Sequence, residues 1–203
     1  MRAYSIEEIK SWDRFYRASF INCLTGFKPV SLIGTVSSNG VANLSVVSSI
    51  VHLGADPAMI GYINRPKAAA PDTISNIEST GVYTINHIHE SFLSAAHQCS
   101  AKYSPEADEF KETGLTPIYE EGIIAPFVAA SSVRYSMKLT EIVPVKHNST
   151  FFVIGELTAV FLNEEIVGED GFLDLVKAGS LTSLGLDGYF SSSLVKRLDY
   201  AKP

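Results

Sequence analysis

Between Pro29 and Asn64 the chain lays down three β-rich runs joined by links too short for any pairing but antiparallel. Residues 29–37 alternate small and β-branched side chains. Ser38-Asn39-Gly40 then supplies a hairpin turn, of type I′ by its Asn-Gly step, because both central residues of that turn need positive φ. The return run, residues 41–53, is long and carries polar residues within an apolar stretch. After Asp56-Pro57, residues 58–64 read as a third strand, and the three together as an antiparallel meander. Residues 82–88, 123–131, 133–145 and 151–163 add four further strand-like runs. Strands at hairpin spacing with a few helices between them predict a mainly β fold, a Greek-key-like antiparallel barrel with helical decoration.

The helices carry their own punctuation. Ser5-Ile-Glu-Glu8 is a capping box, with Tyr4 and Ile9 placed as a hydrophobic staple, and Ile6, Ile9, Trp12, Phe15 and Tyr16 share one face. This predicts an N-terminal helix over 5–20. Residues 65–71 form a loop, Asp72 or Thr73 caps a short helix, and Gly81 ends it. Residues 91–103 read as a helix, Ser104-Pro105 opens another, and residues 174–190 close the chain as helix or loop. No repeat or linker divides the chain, so residues 1–203 are one domain.

Hydrophobic residues at 46% and charged residues at 19% exclude a disordered composition, and the low charge leaves apolar surface that a subunit interface would cover. A net charge of −6 argues against nucleic acid as a partner. Cys23 and Cys99 are too few for a disulfide framework and suit a reducing compartment. With no signal-peptide core and no run near the roughly 20 apolar residues of a membrane span, a soluble cytoplasmic protein is expected.

Two segments carry chemistry. In Asn43-Leu-Ser-Val-Val-Ser-Ser49, alternation puts Asn43, Ser45, Val47 and Ser49 on one face and Leu44, Val46 and Ser48 on the other. Polar groups on both faces of a barrel strand are costly without partners. They fit either a ligand rich in carbonyl and phosphate oxygens or an edge strand with solvated serines. In the second segment Arg65 and Lys67 precede Asp72-Thr73 at a helix start, which is either a solvated surface loop or an anion site built on free backbone amides. The chain has no G-x-G-x-x-G after a strand, no P-loop, no G-x-S-x-G and no Cys-x-x-Cys. His87 and His89 share a strand face and His97 follows on a helix, a grouping more typical of packing than of a metal site. No residue presents itself as a nucleophile or general base, which favours chemistry carried by a bound cofactor.

The order of segments resembles the flavin reductase-like FMN-binding split barrels, especially the flavoredoxin branch. The matching pieces are Lys28-Pro-Val-Ser-Leu-Ile-Gly-Thr-Val-Ser37, Asn39-Gly40, Asn43-Leu-Ser45 with Ser48-Ser49, Asp72-Thr-Ile-Ser-Asn-Ile77 and Gly81-Val-Tyr-Thr-Ile-Asn86. Tyr103 to Thr116, Phe152-Val-Ile-Gly-Glu-Leu157, and Leu184-Gly185 with Asp187-Gly-Tyr189 continue the match. The resemblance implies a homodimer with noncovalent FMN near the interface. It lays the segment from Asn43 to Ser49 along the flavin, draws phosphate contacts from Arg65 to Thr73, and brings Lys102 and Tyr103 close to the cofactor. Ala-Ala-Ala-Pro ahead of Asp72 departs from the family pattern, which leaves Arg65 as first choice for the phosphate ligand and Lys67 as second.

The activity so implied is NAD(P)H-dependent reduction of flavin, or of another small acceptor, by hydride transfer to FMN N5, with no catalytic side chain required. A flavoredoxin-like electron carrier reduced by a partner protein and a noncatalytic flavin-binding module are the alternatives.

Overall fold

The computed structural model describes residues 1–202. Seven strands form one antiparallel sheet: β2 (Ser31–Val36), β3 (Ala42–Val47), β4 (Val51–Ala55), β5 (Ala58–Asn64), β6 (Val82–His87), β9 (Val133–Val145) and β10 (Thr150–Leu162). Their order is β3-β2-β6-β9-β10-β5-β4. The strands at the two edges, β3 and β4, are separated in the chain by residues 48–50 alone. The sheet therefore curls until its edges meet, and covalent linkage closes the barrel where a hydrogen-bonded ladder would otherwise do so.

This corrects two expectations. The return run is two strands, broken at Ser48-Ser49, and β3 does not pair with β5 as a meander requires. Serine hydroxyls compete locally with a backbone ladder. Here Ser49 Oγ donates to Ile63 O at 3.2 Å and accepts from Ile63 N at 3.1 Å, standing in for a strand partner. The turn before β3 also differs from expectation. Gly40 alone takes positive φ, 81°, and its N–H donates to Ser37 O at 2.9 Å, so the hairpin is a three-residue loop with glycine in the left-handed position.

A two-stranded hairpin, β7 (Pro117–Glu120) and β8 (Ile123–Val128), lies across β2 and β6. Thr84 Oγ1 donates to Pro126 O at 2.6 Å, Asn86 Oδ1 accepts from Val128 N at 2.9 Å, and Asn86 Nδ2 donates to Leu32 O at 3.2 Å. A side chain at Gly34 would overlap Pro126 O and Thr84 Oγ1, so glycine is what admits β8 this closely. Buried on both faces, β2 sends Leu32 to the cluster with Leu44, Ile88, Phe110 and Val128, and Ile33 to the barrel interior with Ile74, Ile77, Ile85 and Val153. Each such fully buried side chain contributes about 1.5–3 kcal/mol of transfer free energy.

The helices depart from their expected bounds in informative ways. The N-terminal helix is two, α1 (Ile6–Ser11) and α2 (Arg14–Leu24), because Asp13 caps the second by accepting from Phe15 N and Tyr16 N. Ser5 Oγ accepts from Glu8 N at 3.1 Å, but the Glu8 carboxylate pairs with Arg2, and Tyr4 packs on Trp12 and Phe20. Neither Asp72 nor Thr73 caps α3 (Pro71–Thr80). Pro71 takes the first helical position its fixed φ suits, which leaves Ala70 at the cap with no side-chain acceptor. Residues 91–103 hold only α4 (Leu93–Gln98), preceded by a 3₁₀ turn. Ser104-Pro105 makes a turn, and Asp108 caps α5 (Glu109–Thr113). The tail holds a hairpin, β11 (Thr182–Leu184) with β12 (Gly188–Phe190), which joins β1 (Lys28–Pro29) in a third small sheet.

Candidate functional site

A cleft of about 510 Å³ runs along the seam where the barrel edges meet. Its walls come from β3 and Ser48-Ser49, the end of β5 with Arg65, the start of α3, residues 97–103, and the β11–β12 hairpin. The fold thus brings Asn43, Leu44, Ser45, Val47, Ser48, Ser49, Arg65, Asp72, Thr73, Lys102 and Tyr103 to one cavity. Lys67 is the exception. Its ammonium lies 2.7 Å from both Glu78 oxygens and 5.7 Å from the Phe151 ring centroid, held by a local carboxylate away from the cleft.

The polar side chains at the cleft divide into those already satisfied and those free. Asn43 Oδ1 accepts from Thr35 Oγ1 and from Thr73 Oγ1, each at 3.0 Å, and Asn76 Nδ2 donates to Thr35 Oγ1 at 3.0 Å. Asn43 Nδ2 donates to Glu109 Oε1, whose second oxygen accepts from Leu44 N at 3.3 Å. Asn43 and Thr73 therefore join β2, β3, α3 and α5 into one buried network, and their side chains are spent on shape. Ser49 is likewise spent on Ile63. Burial pushes the Glu109 carboxyl above the usual carboxylate range, and the nearby Asp72 charge adds to this.

Among the described residues, Ser45 and Ser48 keep their hydroxyls and Arg65 and Lys102 their charges without a hydrogen-bond or ion-pair partner in the chain, and all four line the cleft. Tyr103 Oη accepts from Gln98 Nε2 at 3.1 Å. The N-terminus of α3 opens on the same space. With alanine at its cap and proline first, the N–H groups of Asp72 and Thr73 have no intrahelical acceptor, and the helix dipole favours an anion there.

Sequence reasoning missed part of the cleft: Asn22, Glu109, His97, Ser183 and Tyr189 also line it. Helical spacing could have placed Glu109, but the tail residues stand on strands of three residues each, too short for alternation to register. The histidines disperse. His87 lies half-buried against Ser180, at 2.9 Å between Nδ1 and Oγ, His89 caps the 3₁₀ turn, and His97 meets Tyr189. No group of three or more His, Cys, Asp or Glu is placed to hold a metal among the described residues.

Fold and cleft together define a split barrel with a cleft along its seam. Residues 27–178 match the flavin reductase like domain, and the chain belongs to that family. A candidate flavin reductase with split barrel domain from Shewanella frigidimarina NCIMB 400 is 44% identical, with TM-score 0.95 over 99% of this chain and 100% of that one. Nitrilotriacetate monooxygenase component B from Bacillus cereus is 21% identical, with TM-score 0.85 over 98% of each chain. Flavoredoxin of Desulfovibrio vulgaris (Miyazaki F) is also 21% identical, with TM-score 0.75 over 87% of this chain and 92% of its own. These last two are likenesses of fold.

Proposed function

We propose that the chain binds FMN noncovalently in the seam cleft and acts as an NAD(P)H-dependent flavin reductase. One observation carries this reading: an uncapped helix N-terminus, an unpaired guanidinium and unpaired serine hydroxyls share a single cleft of about 510 Å³. The donors suit a phosphorylated ligand whose planar part carries carbonyl oxygens. The phosphate falls to Arg65 and the α3 amides, with Lys102 as a second cation. Ser45 and Ser48 offer hydroxyls to ring oxygens, and Val47 and Tyr103 offer apolar surface to the ring faces, whereas the Leu44 side chain is 1% exposed and packs into the core behind the cleft wall. The network of Asn43, Thr73 and Glu109 holds those groups in place. FMN supplies hydride acceptance from a nicotinamide and onward electron donation, so the protein's tasks are to hold, orient and shield.

The same reading makes the protein a homodimer with the cleft near its interface. Within one chain α1 and α2 bury no residue. Phe15, Leu24, Phe27 and Leu186 are more than half exposed, and Leu186 itself lines the cleft, so a second copy over this surface also walls the site. The free thiols of Cys23 and Cys99 fit the cytoplasm.

Titration with FMN, followed by calorimetry and by the visible spectrum, tests the cofactor; absence of heat and of any spectral change rejects it. Rapid mixing of the loaded protein with NADH and NADPH, followed near ~450 nm, tests the donor, because only a reductase bleaches quickly. Slow bleaching with both nucleotides supports the flavoredoxin-like carrier instead. Light scattering reads the oligomeric state.

A further inference from the structure

One wall of the cleft takes no part in holding FMN under this reading. In the β11–β12 hairpin Ser183 and Tyr189 stand directly opposite, so their side chains leave the same face. Both line the cleft, as does His97 at the end of α4. His97 Nδ1 and Tyr189 Oη lie 2.8 Å apart, with the rings edge-on at 5.6 Å between centroids. Ser183 is 6% exposed, and its hydroxyl has no partner in the chain. A shielded hydroxyl without a partner is an exception that a group arriving from outside would remove.

The chemistry of the wall narrows what that group is. Burial, with Asp187 nearby, holds the Tyr189 phenol above its usual range, so it stays protonated near neutral pH. Burial pushes the Cys99 thiol up to about 12, so it stays neutral. Asp187, exposed on the turn between the two strands, adds its negative charge at the rim of this wall. When His97 carries its proton on Nδ1, it donates to Tyr189 Oη and frees the phenol's own hydrogen for a third atom. The wall thus presents neutral donors beside an acidic residue, which suits an uncharged oxygen.

We propose that this wall is a subsite for the carbonyl oxygen of a planar ketone or carboxamide, the second substrate of the cleft. Tyr189 and Ser183 are its hydrogen-bond donors, and His97 is a positioning residue that orients the phenol. That the occupant is a second substrate rests on the FMN reading; the binding itself does not. The oxygen belongs either to the carboxamide of a nicotinamide electron donor or to the ketone of an electron acceptor, and two probes separate these.

The full chain, labelled with ¹⁵N-histidine, is titrated with nicotinamide and separately with cyclohex-2-enone, each with and without FMN. The expected result is that one probe shifts the His97 ring nitrogens toward the Nδ1–H tautomer. Tyr189→Phe and Ser183→Ala should each weaken that probe at least about fivefold while changing FMN affinity less than about twofold. A response to nicotinamide assigns the wall to the donor, and a response to cyclohex-2-enone assigns it to the acceptor. The proposal is overturned if neither probe moves His97 in either form of the protein, or if both variants bind the probe as the wild type does. If FMN fails to bind while a probe still moves His97, the subsite stands and the flavin reading falls.

Discussion

Asn43 Nδ2 donates to Glu109 Oε1 at 2.8 Å, tying β3 to α5 across 66 positions of the chain. The second carboxyl oxygen takes the Leu44 amide, so one acidic side chain serves two donors at a place where the barrel wall becomes the cleft wall. Glutamine has the same shape but a single acceptor oxygen, so Glu109→Gln turns an N–H group toward one of those donors. We expect Glu109→Gln to destabilise the fold by about 1–3 kcal/mol, measured by urea unfolding near neutral pH.

Arg65 and Lys67 are two positions apart and have opposite fates. Arg65 lines the cleft unpaired, whereas Lys67 is bound to Glu78. Arg65→Ala should weaken FMN about tenfold or more and leave riboflavin, which lacks the phosphate, within about twofold. Lys67→Ala should change neither ligand measurably and alter stability by less than about 1 kcal/mol, since its pair is half exposed. Paired calorimetric titrations of both variants check this; equal losses for Arg65→Ala with the two ligands would remove the phosphate role.

His87 couples stability to pH. Burial lowers its pKa from 6.5 to about 4, so the folded chain holds it neutral while the unfolded chain protonates it first. Below 6.5 the unfolded state binds the extra proton, so stability drops as pH falls from 6.5 toward 4 and is unaffected by this group above that window. The full loss is about 3 kcal/mol. His87→Gln, which keeps a polar partner for Ser180, should flatten the fall; denaturant titrations at about pH 5 and about pH 7.5 measure the difference between the two proteins.

Gly34 is set by contact with β8. Gly34→Ala drives a methyl group into Pro126 O and Thr84 Oγ1, atoms that are themselves hydrogen-bonded. We expect a loss of about 1–3 kcal/mol in chemical unfolding, with the seam cleft and its ligand affinity unchanged, since Gly34 does not line it.

Much of the barrel is legible from local chemistry. The run 133–145 has the bounds of β9, and Ser5 caps α1 as its spacing to Glu8 requires. Expectation fails where a distant group decides. Nothing within residues 41–53 says that Ser49 will bond to Ile63 and break the strand, and Asp13 reads as an ordinary helix residue until it caps α2. The same holds for the cleft. Its β3 side follows from polar residues placed where apolar ones belong, while Lys67 cannot be told from Arg65 without Glu78 in view. The pairing of His97 with Tyr189 spans 92 positions and leaves no periodic trace.

The large sheet ends at both sides on strands tethered by residues 48–50. A ladder resists spreading because its rungs give way together, but a tether yields by torsion. Opening the mouth would cost the two bonds between Ser49 and Ile63 and the Asn43–Thr73 bond, whereas the strand registers behind it are made elsewhere. Lengthening that bend by one residue would admit a bulkier guest at small expense to the interior, which makes it the natural place for divergence in what such a barrel accepts.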